Sequence, residues 1–383
     1  MRVRRSVARL VGVAAAVAVA GSVAACGGGA SPSRLTWQER NLPVPAGSHA
    51  VVQSATWCGR RWYVAGATAG ARGNTRPAMW ASADGAQWRP VALHPGADYY
   101  AERAILTSLG CSRGHVAALG AKPGGAHGNP RVETWHQGGD GSLTAVRAPF
   151  EQYGGQDAVS VNRLSGGAAG YLVTGTRVSG AAVWSSPTGR RFILHARAPG
   201  LANTGSATTQ ALDAAWWHGS WTVVGDSSRS SGRLVGTVWS GTGAGPWTPA
   251  PLPGGTRLAT AERVTVAQTG PVVAGLDDGA IGLWSEGPDG WSLATRFGAL
   301  RPGATSPAFV SGLARTGGGF AVTWSDGAAF HLATGTASSL SDVPLPTPVD
   351  VRGDHTVTVA AHGEHLLLLT DSGRDAHAWL TGD

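Results

Sequence analysis

"RWYVAGATAGARGNTRPAMWASADGAQWRPVAL", Arg61–Leu93, holds most of one structural unit. An apolar strand ends in Gly66, a polar loop follows, and a second strand ends at Trp80. The tight turn "SADGAQ" then leads to a third strand that begins at Trp88. The apolar-strand-then-Gly element returns as "HVAALG", "YLVTG", "WTVVG" and "PVVAG". The aromatic before the turn returns as Trp80, Trp135, Trp184, Trp239, Trp284, Phe330 and Trp379, at intervals of 45 to 55 residues. Eight residues later stand Trp88, Leu143, Phe192 and Trp247, and seven residues after Trp284 stands Trp291.

Each unit also has a leading strand, among them "AVVQSATW", "RAILTSLG", "ERVTVAQ" and "HTVTVAA", mostly of Ala, Val, Ser, Thr and Leu. Four short strands repeated at this period read as the blades of an all-β, seven-bladed propeller. Small residues suit inner strands crowded around an axis, and aromatics fill the wider space between blades farther out. The sixth unit is degenerate, with Phe330 in place of Trp and its outer strand placed near "SLSDVPLP". A tandem of β-sandwiches is the competing architecture, but seven registered copies favour the propeller. The seventh unit supplies three strands, and the chain stops four residues after Trp379. The missing strand is "LTWQERNLP", Leu35–Pro43, which resembles the outer strands "QWRPVALHP" and "PWTPAPLP". Residues 35–42 are therefore expected to close the ring, so that 34–383 form one propeller. Closure removes exposed sheet edges.

The first 33 residues read as targeting sequence. "MRVRRSVAR" carries four Arg and no acid, and "LVGVAAAVAVAGSVAA" is a short apolar run, so residues 1–25 are read as a signal peptide. "VAAC" resembles a bacterial lipobox, which implies cleavage before Cys26, lipidation of its thiol, and a tether, "GGGASPS", over residues 26–33. The expectation is a lipoprotein exported to the outer face of the cytoplasmic membrane. Removing the signal takes 30 Lys+Arg to 26 against 23 Asp+Glu, a net +3. A diffuse charge of that size is no footprint for nucleic acid. The Arg, Ala and Gly bias suggests a GC-rich, actinobacterial-type genome. Cys58 and Cys111 occupy the same intra-blade turn of neighbouring units, "WCGRRW" and "GCSRGH", and a disulfide between them is expected in an exported chain; two buried thiols are the alternative.

"WASADGAQW" and "WSSPTGRRF" resemble the Asp-box turns of sialidase-like (BNR) propellers, roughly Ser-x-Asp-x-Gly-x-x-Trp. Ser82, Asp84 and Trp88 match in a turn one residue short; Ser185, Gly189 and Phe192 match with Pro187 in place of Asp. The repeat is also similar to kelch, with one Gly where kelch has two. The sialidase likeness implies an Arg triad, a Tyr-Glu pair and an acid Asp, and that set is not placed here.

"HGEH", His362–His365, falls on a turn between strands, and "LDDG", Asp277–Gly279, lacks the regular oxygen ligands of a calcium loop. No metal or cofactor is expected. The loops entering the inner strands share one face with the second-to-third loops. They bring His49, Glu102, Arg103, Asp157, Gln210, Glu262 and Arg263 toward the channel mouth, where "AER" occurs twice, at Ala101–Arg103 and Ala261–Arg263. Polar groups converging at such a mouth form a candidate ligand site, and Arg favours acidic glycans or wall polymers. A ligand-binding or protein-interaction scaffold at the envelope is the expected role, in preference to catalysis. The alternative is a carbohydrate-active hydrolase or lyase at the same mouth.

Overall fold

The computed structural model describes residues 35–124 and 130–382. The signal segment 1–25, Cys26 and the tether 26–33 lie outside the described residues. Seven sheets, antiparallel but for one short parallel pair in the second, follow one another along the chain. Blade I contains Ser48–Cys58, Arg61–Gly70, Thr75–Ser82 and Arg89–Pro90. Blade II contains Ile105–Ser112, His115–Lys122, Arg131–Gln137 and Leu143–Val146, and blades III to VI repeat the order. Blade VI ends in Ser339–Val343, the outer strand expected near "SLSDVPLP". Blade VII holds Thr356–His362, His365–Asp371 and Ala376–Thr381, and its outermost strand is Trp37–Arg40. Trp37 pairs with Thr381 and Arg40 with Ala378, so the first strand of the propeller closes the last blade. Asp371 completes the join by accepting the Val52 amide of blade I, 2.9 Å.

The Trp spacing is explained by packing. Trp80, Trp135, Trp184, Trp239 and Trp284 are buried between blades. Three of them also fix the connection that leads into their own blade. The indole N–H groups of Trp80, Trp184 and Trp284 donate to the carbonyls of Pro43, Gln152 and Pro253, at 2.6–2.8 Å. The turn after Trp80 is braced by Asp84, whose Oδ1 accepts the amides of Ala86 and Gln87. These bonds hold its carboxyl down at about 2. In the turn after Trp184 the hydroxyl that accepts the Gly189 amide belongs to Ser186, not to Ser185, which bonds His195 instead.

The recurring Gly has a steric cause. The inner strands of blades I, II, III, IV and VI carry a β-bulge at the same place, between Val52 and Ser54 in blade I and between Ala211 and Asp213 in blade IV. The bulge turns a carbonyl toward the second strand. A Cβ on Gly66 would lie 1.8 Å from Val51 O, and one on Gly225 1.9 Å from Gln210 O. After the bulge, the equivalent positions Ser54, Ser108, Arg163, Asp213, Gly312 and Thr358, with Arg263 from blade V, encircle the axis. Several link adjacent blades: Ser108 Oγ donates to Leu164 O at 3.0 Å, and Asp213 Oδ2 accepts the Val264 amide at 3.3 Å.

Cys58 and Cys111 form a disulfide between the inner strands of blades I and II, with Cα atoms 5.5 Å apart. "HGEH" is a turn in which His362 pairs with His365 and stacks on Trp57 at 3.8 Å. Blade II differs from the uniform four-strand pattern: it has a fifth strand, Leu93–His94, which leaves blade I and pairs in parallel with Leu143–Thr144. This detour carries the chain after His94 across the face of blade II.

Candidate functional site

The detour opens a groove of about 590 Å3 on the face that carries the incoming connections. One wall is the connection from blade I, Pro95–Ala101; the other is the connection to blade III, Val146–Gly154, with its short helix Phe150–Tyr153. The floor is the start of the third strand of blade II, Arg131–Glu133. Arg131 lies over the Phe150 ring at 4.0 Å and near the Tyr100 ring at 5.4 Å. Stacking of a guanidinium between two rings fixes its plane while leaving its edge free to bond. Tyr153, the last residue of the helix, is buried, its hydroxyl 3.3 Å from Thr134 Oγ1, and burial raises its pKa. Phe150 is 49% exposed, so an apolar ring face remains open to a ligand.

Glu133 is the chemically distinctive group. Burial raises its pKa from 4.5 to about 7, and the charge of Asp98, within hydrogen-bonding reach, adds to the shift. Asp98 is anchored through Oδ1, which accepts the amides of Tyr100 and Ala101 at 2.9 and 3.0 Å. Alternation in a strand puts residues 131, 133 and 135 on one face. There Arg131 Nε, Glu133 Oε2 and Trp135 Nε1 are all buried without a hydrogen-bond partner among the described residues. Trp80, Trp184 and Trp284 use their N–H on an incoming connection; Trp135 in blade II and Trp239 in blade IV make no such bond among the described residues. A row of unpaired buried polar atoms is rare and calls for a ligand or solvent. Other carboxyls are also held high by burial: Asp226 at about 6, and Glu262 upward. Their oxygens are already occupied, by Gln210 Nε2 for Asp226 and by Thr260 Oγ1 and the Val310 amide for Glu262. They act as internal clasps.

The residues expected at the channel mouth do not meet in one ring. His49 starts the inner strand of blade I opposite Ala69. Glu102 and Arg103 pair with each other at 3.1 Å in a short 3-10 turn, where Arg103 covers the Tyr99 ring at 4.2 Å. The Asp157 carbonyl accepts the Val178 amide at 2.9 Å. Gln210 is bonded to Asp226. Arg263 lines the channel, while Glu262 beside it is buried and bonded to Thr260 and the Val310 amide. The two "AER" stretches are therefore not equivalent: the first lies on the rim before the inner strand, the second within the axial wall. Sequence reasoning missed Glu133, Asp98, Phe150 and the stacking of Arg131. The available signal was aromatic: Tyr99, Tyr100, Phe150 and Tyr153 crowd two consecutive connections.

Among the described residues no group of three or more His, Cys, Asp and Glu could hold a metal ion, and no helix is long and apolar enough to cross a membrane. No known protein-family description and no curated protein matches the sequence. Solved structures do match in architecture. A protein of unknown function from Dyadobacter fermentans is 12% identical over 90% of this chain and 98% of its own, with a TM-score of 0.44. The β-propeller domain of the Trilobed protease from Pyrococcus furiosus is 10% identical over 88% and 94%, with a TM-score of 0.45. The sialidase of Trypanosoma rangeli is 10% identical over 90% of this chain and 54% of its own, with a TM-score of 0.40. The expectation of a non-catalytic protein is corrected: the solved structures matched at low identity include ones named as sialidases and as a glycoside hydrolase. Function has to be argued from the site. The chain is an all-β, seven-bladed propeller of antiparallel blades closed by its first strand.

Proposed function

We propose that the protein is an exported, lipid-anchored propeller that binds acidic glycans of the cell envelope in the blade II groove and cleaves them with Glu133 as general acid. The observation that carries this reading is the Glu133 carboxyl: it keeps its proton to about pH 7, and its Oε2 is buried with no partner among the described residues. A carboxylic acid poised near neutrality in a cleft is the standard requirement for protonating a glycosidic oxygen. The walls suit a sugar. Phe150 and Tyr100 offer flat faces to its C–H groups, and Arg131 offers paired N–H donors to its carboxylate. In the step proposed, Glu133 passes its proton to the leaving oxygen while water attacks the sugar carbon and releases a proton to solvent. Solvent then returns the proton. Asp98 holds the carboxyl in place. The Cys26 lipid would keep the groove close to envelope polymers, and the lipobox sequence supports that anchoring.

The test is a screen of uronate-containing glycans and wall fragments for binding and for new chain ends. Glu133→Gln should abolish cleavage and retain binding, and Arg131→Gln should weaken binding. Ultraviolet absorbance of an unsaturated end would identify a lyase rather than a hydrolase. Full cleavage by E133Q would overturn the catalytic assignment. Cys26→Ala should move the protein out of the membrane fraction.

A further inference from the structure

The axial channel contains a second polar space, on the side away from the groove. Below the bulges it encloses about 450 Å3. Among the described residues lining it, the charged ones are Arg163, Asp213, Arg263 and Arg315, three guanidiniums against one carboxylate. Asp213 is already occupied. Its Oδ1 accepts Ser165 Oγ at 3.2 Å and the Ala214 amide at 2.8 Å, and its Oδ2 accepts the Val264 amide at 3.3 Å. It stands 3.5 Å from Arg163 Nε and so faces one of the three cations.

Arg263 is held by neutral acceptors only: Nε donates to Ser311 O at 3.1 Å and Nη1 to Glu262 O at 2.7 Å. Burial lowers its pKa to about 10, and the like charge of Arg163 lowers it further, while Asp213 and Glu262 pull the other way. The two guanidiniums therefore feel each other across the channel.

We propose that the channel below the bulges is an oxyanion site, in which Arg163 and Arg263 together receive a carboxylate or phosphate group that enters from the face opposite the groove. Three observations support it. The guanidiniums are oriented by their backbone and Asp213 contacts, so little ordering remains to be done on binding. An anion between them relieves their mutual repulsion and supplies the acceptors their fork geometry fits. At the lower mouth Trp57 and Trp216 line the same space and are half-buried, which offers flat faces to the rest of a small ligand. The site shares no lining residue with the groove and opens on the other face, so it stands independently of the glycan reading.

Calorimetry on the full chain at low salt, with glucuronate, inorganic phosphate and glucose as probes, tests the proposal. At least one anion should bind, glucose should not, and added salt should weaken the binding. Arg163→Gln should weaken it by about tenfold or more, and Arg315→Gln, at the end of its inner strand and lining the same space, serves if R163Q does not fold. A tighter response to glucuronate assigns a carboxylated ligand, and a tighter response to phosphate assigns a phosphorylated one. R131Q should keep the response, because the groove cation is not involved. No heat with either anion, wild-type affinity in both channel variants, or loss of the response in R131Q would each overturn the assignment.

Discussion

The Glu133 carboxyl lies within hydrogen-bonding reach of Asp98, and burial together with the Asp98 charge moves its pKa from 4.5 to about 7. A carboxyl raised in this way favours the folded state fully below its unfolded pKa, and that contribution is lost as pH rises through the folded value. Wild type and E133Q should therefore have similar stability at acid pH. Above neutrality E133Q should be the more stable by about 1–2 kcal/mol, allowing for partial solvent contact at the site. Urea unfolding of both proteins on either side of the transition measures the gap. A gap that does not change with pH would remove the raised pKa from the account.

Ring closure makes the strand Trp37–Arg40 part of the propeller's stability. It pairs along Ala376–Thr381, His377 Nδ1 meets Glu39 Oε1 at 2.6 Å, and Leu42 is buried with Trp80 in the blade VII–blade I core. Deleting residues 35–42 removes the pairing and the core contact, and it leaves an open sheet edge. The expected cost is about 3 kcal/mol or more, seen as a lower thermal midpoint. An unchanged melt would mean that the strand is a passive appendage.

The bulge accounts for the recurring Gly, and one methyl group tests it. In Gly225→Ala the new Cβ would meet Gln210 O at 1.9 Å, backbone against backbone. The strand has to shift, at a cost of about 2–3 kcal/mol. Gly279→Ala, with nothing near its Cβ but a positive φ of 102°, separates a close approach from conformational strain. If G225A unfolds at the same denaturant concentration as wild type, the bulge is not what fixes that Gly.

The Cys58–Cys111 bridge spans 53 residues and joins blades I and II. Loop-closure entropy assigns such a bridge about 4 kcal/mol. Melting the protein with and without reductant should show the difference, and the double substitution to Ala should match the reduced form. Equal midpoints would leave the bridge without a stabilising role.

The blade repeat was legible because it is periodic and local. Trp80 and its counterparts in blades II, III, IV, V and VII mark the third strands, Gly66 and its counterparts mark the second, and the surplus strand at Trp37 follows from counting. In degenerate blade VI the place expected for Phe330 is taken by Ala333, and Phe330 stands three residues earlier, opposite Ser325. The cysteine pair was legible for the same reason, since Cys58 and Cys111 stand at one position of two copies. The groove was not, because connections do not repeat. Glu133 acquires its chemistry from burial and from Asp98, 35 residues earlier, and its setting from Phe150 on the next connection. Neither distance follows from the period. The repeated "AER" misled in the opposite way. Arg103 precedes its blade's Gly120 by 17 residues, while Arg263 precedes Gly275 by only 12, and that offset moves one from the rim and the other into the channel wall.

The central claim is that Glu133 is the proton donor of a glycan-cleaving groove. The most direct measurement is the pH dependence of cleavage of the best uronate-containing glycan by wild type and E133Q. Cleavage by wild type should fall as pH rises through about 7, with the acid form active, and E133Q should bind the glycan without cutting it at any pH. Cleavage by E133Q at the wild-type rate, or the absence of binding to any acidic glycan, would contradict the account.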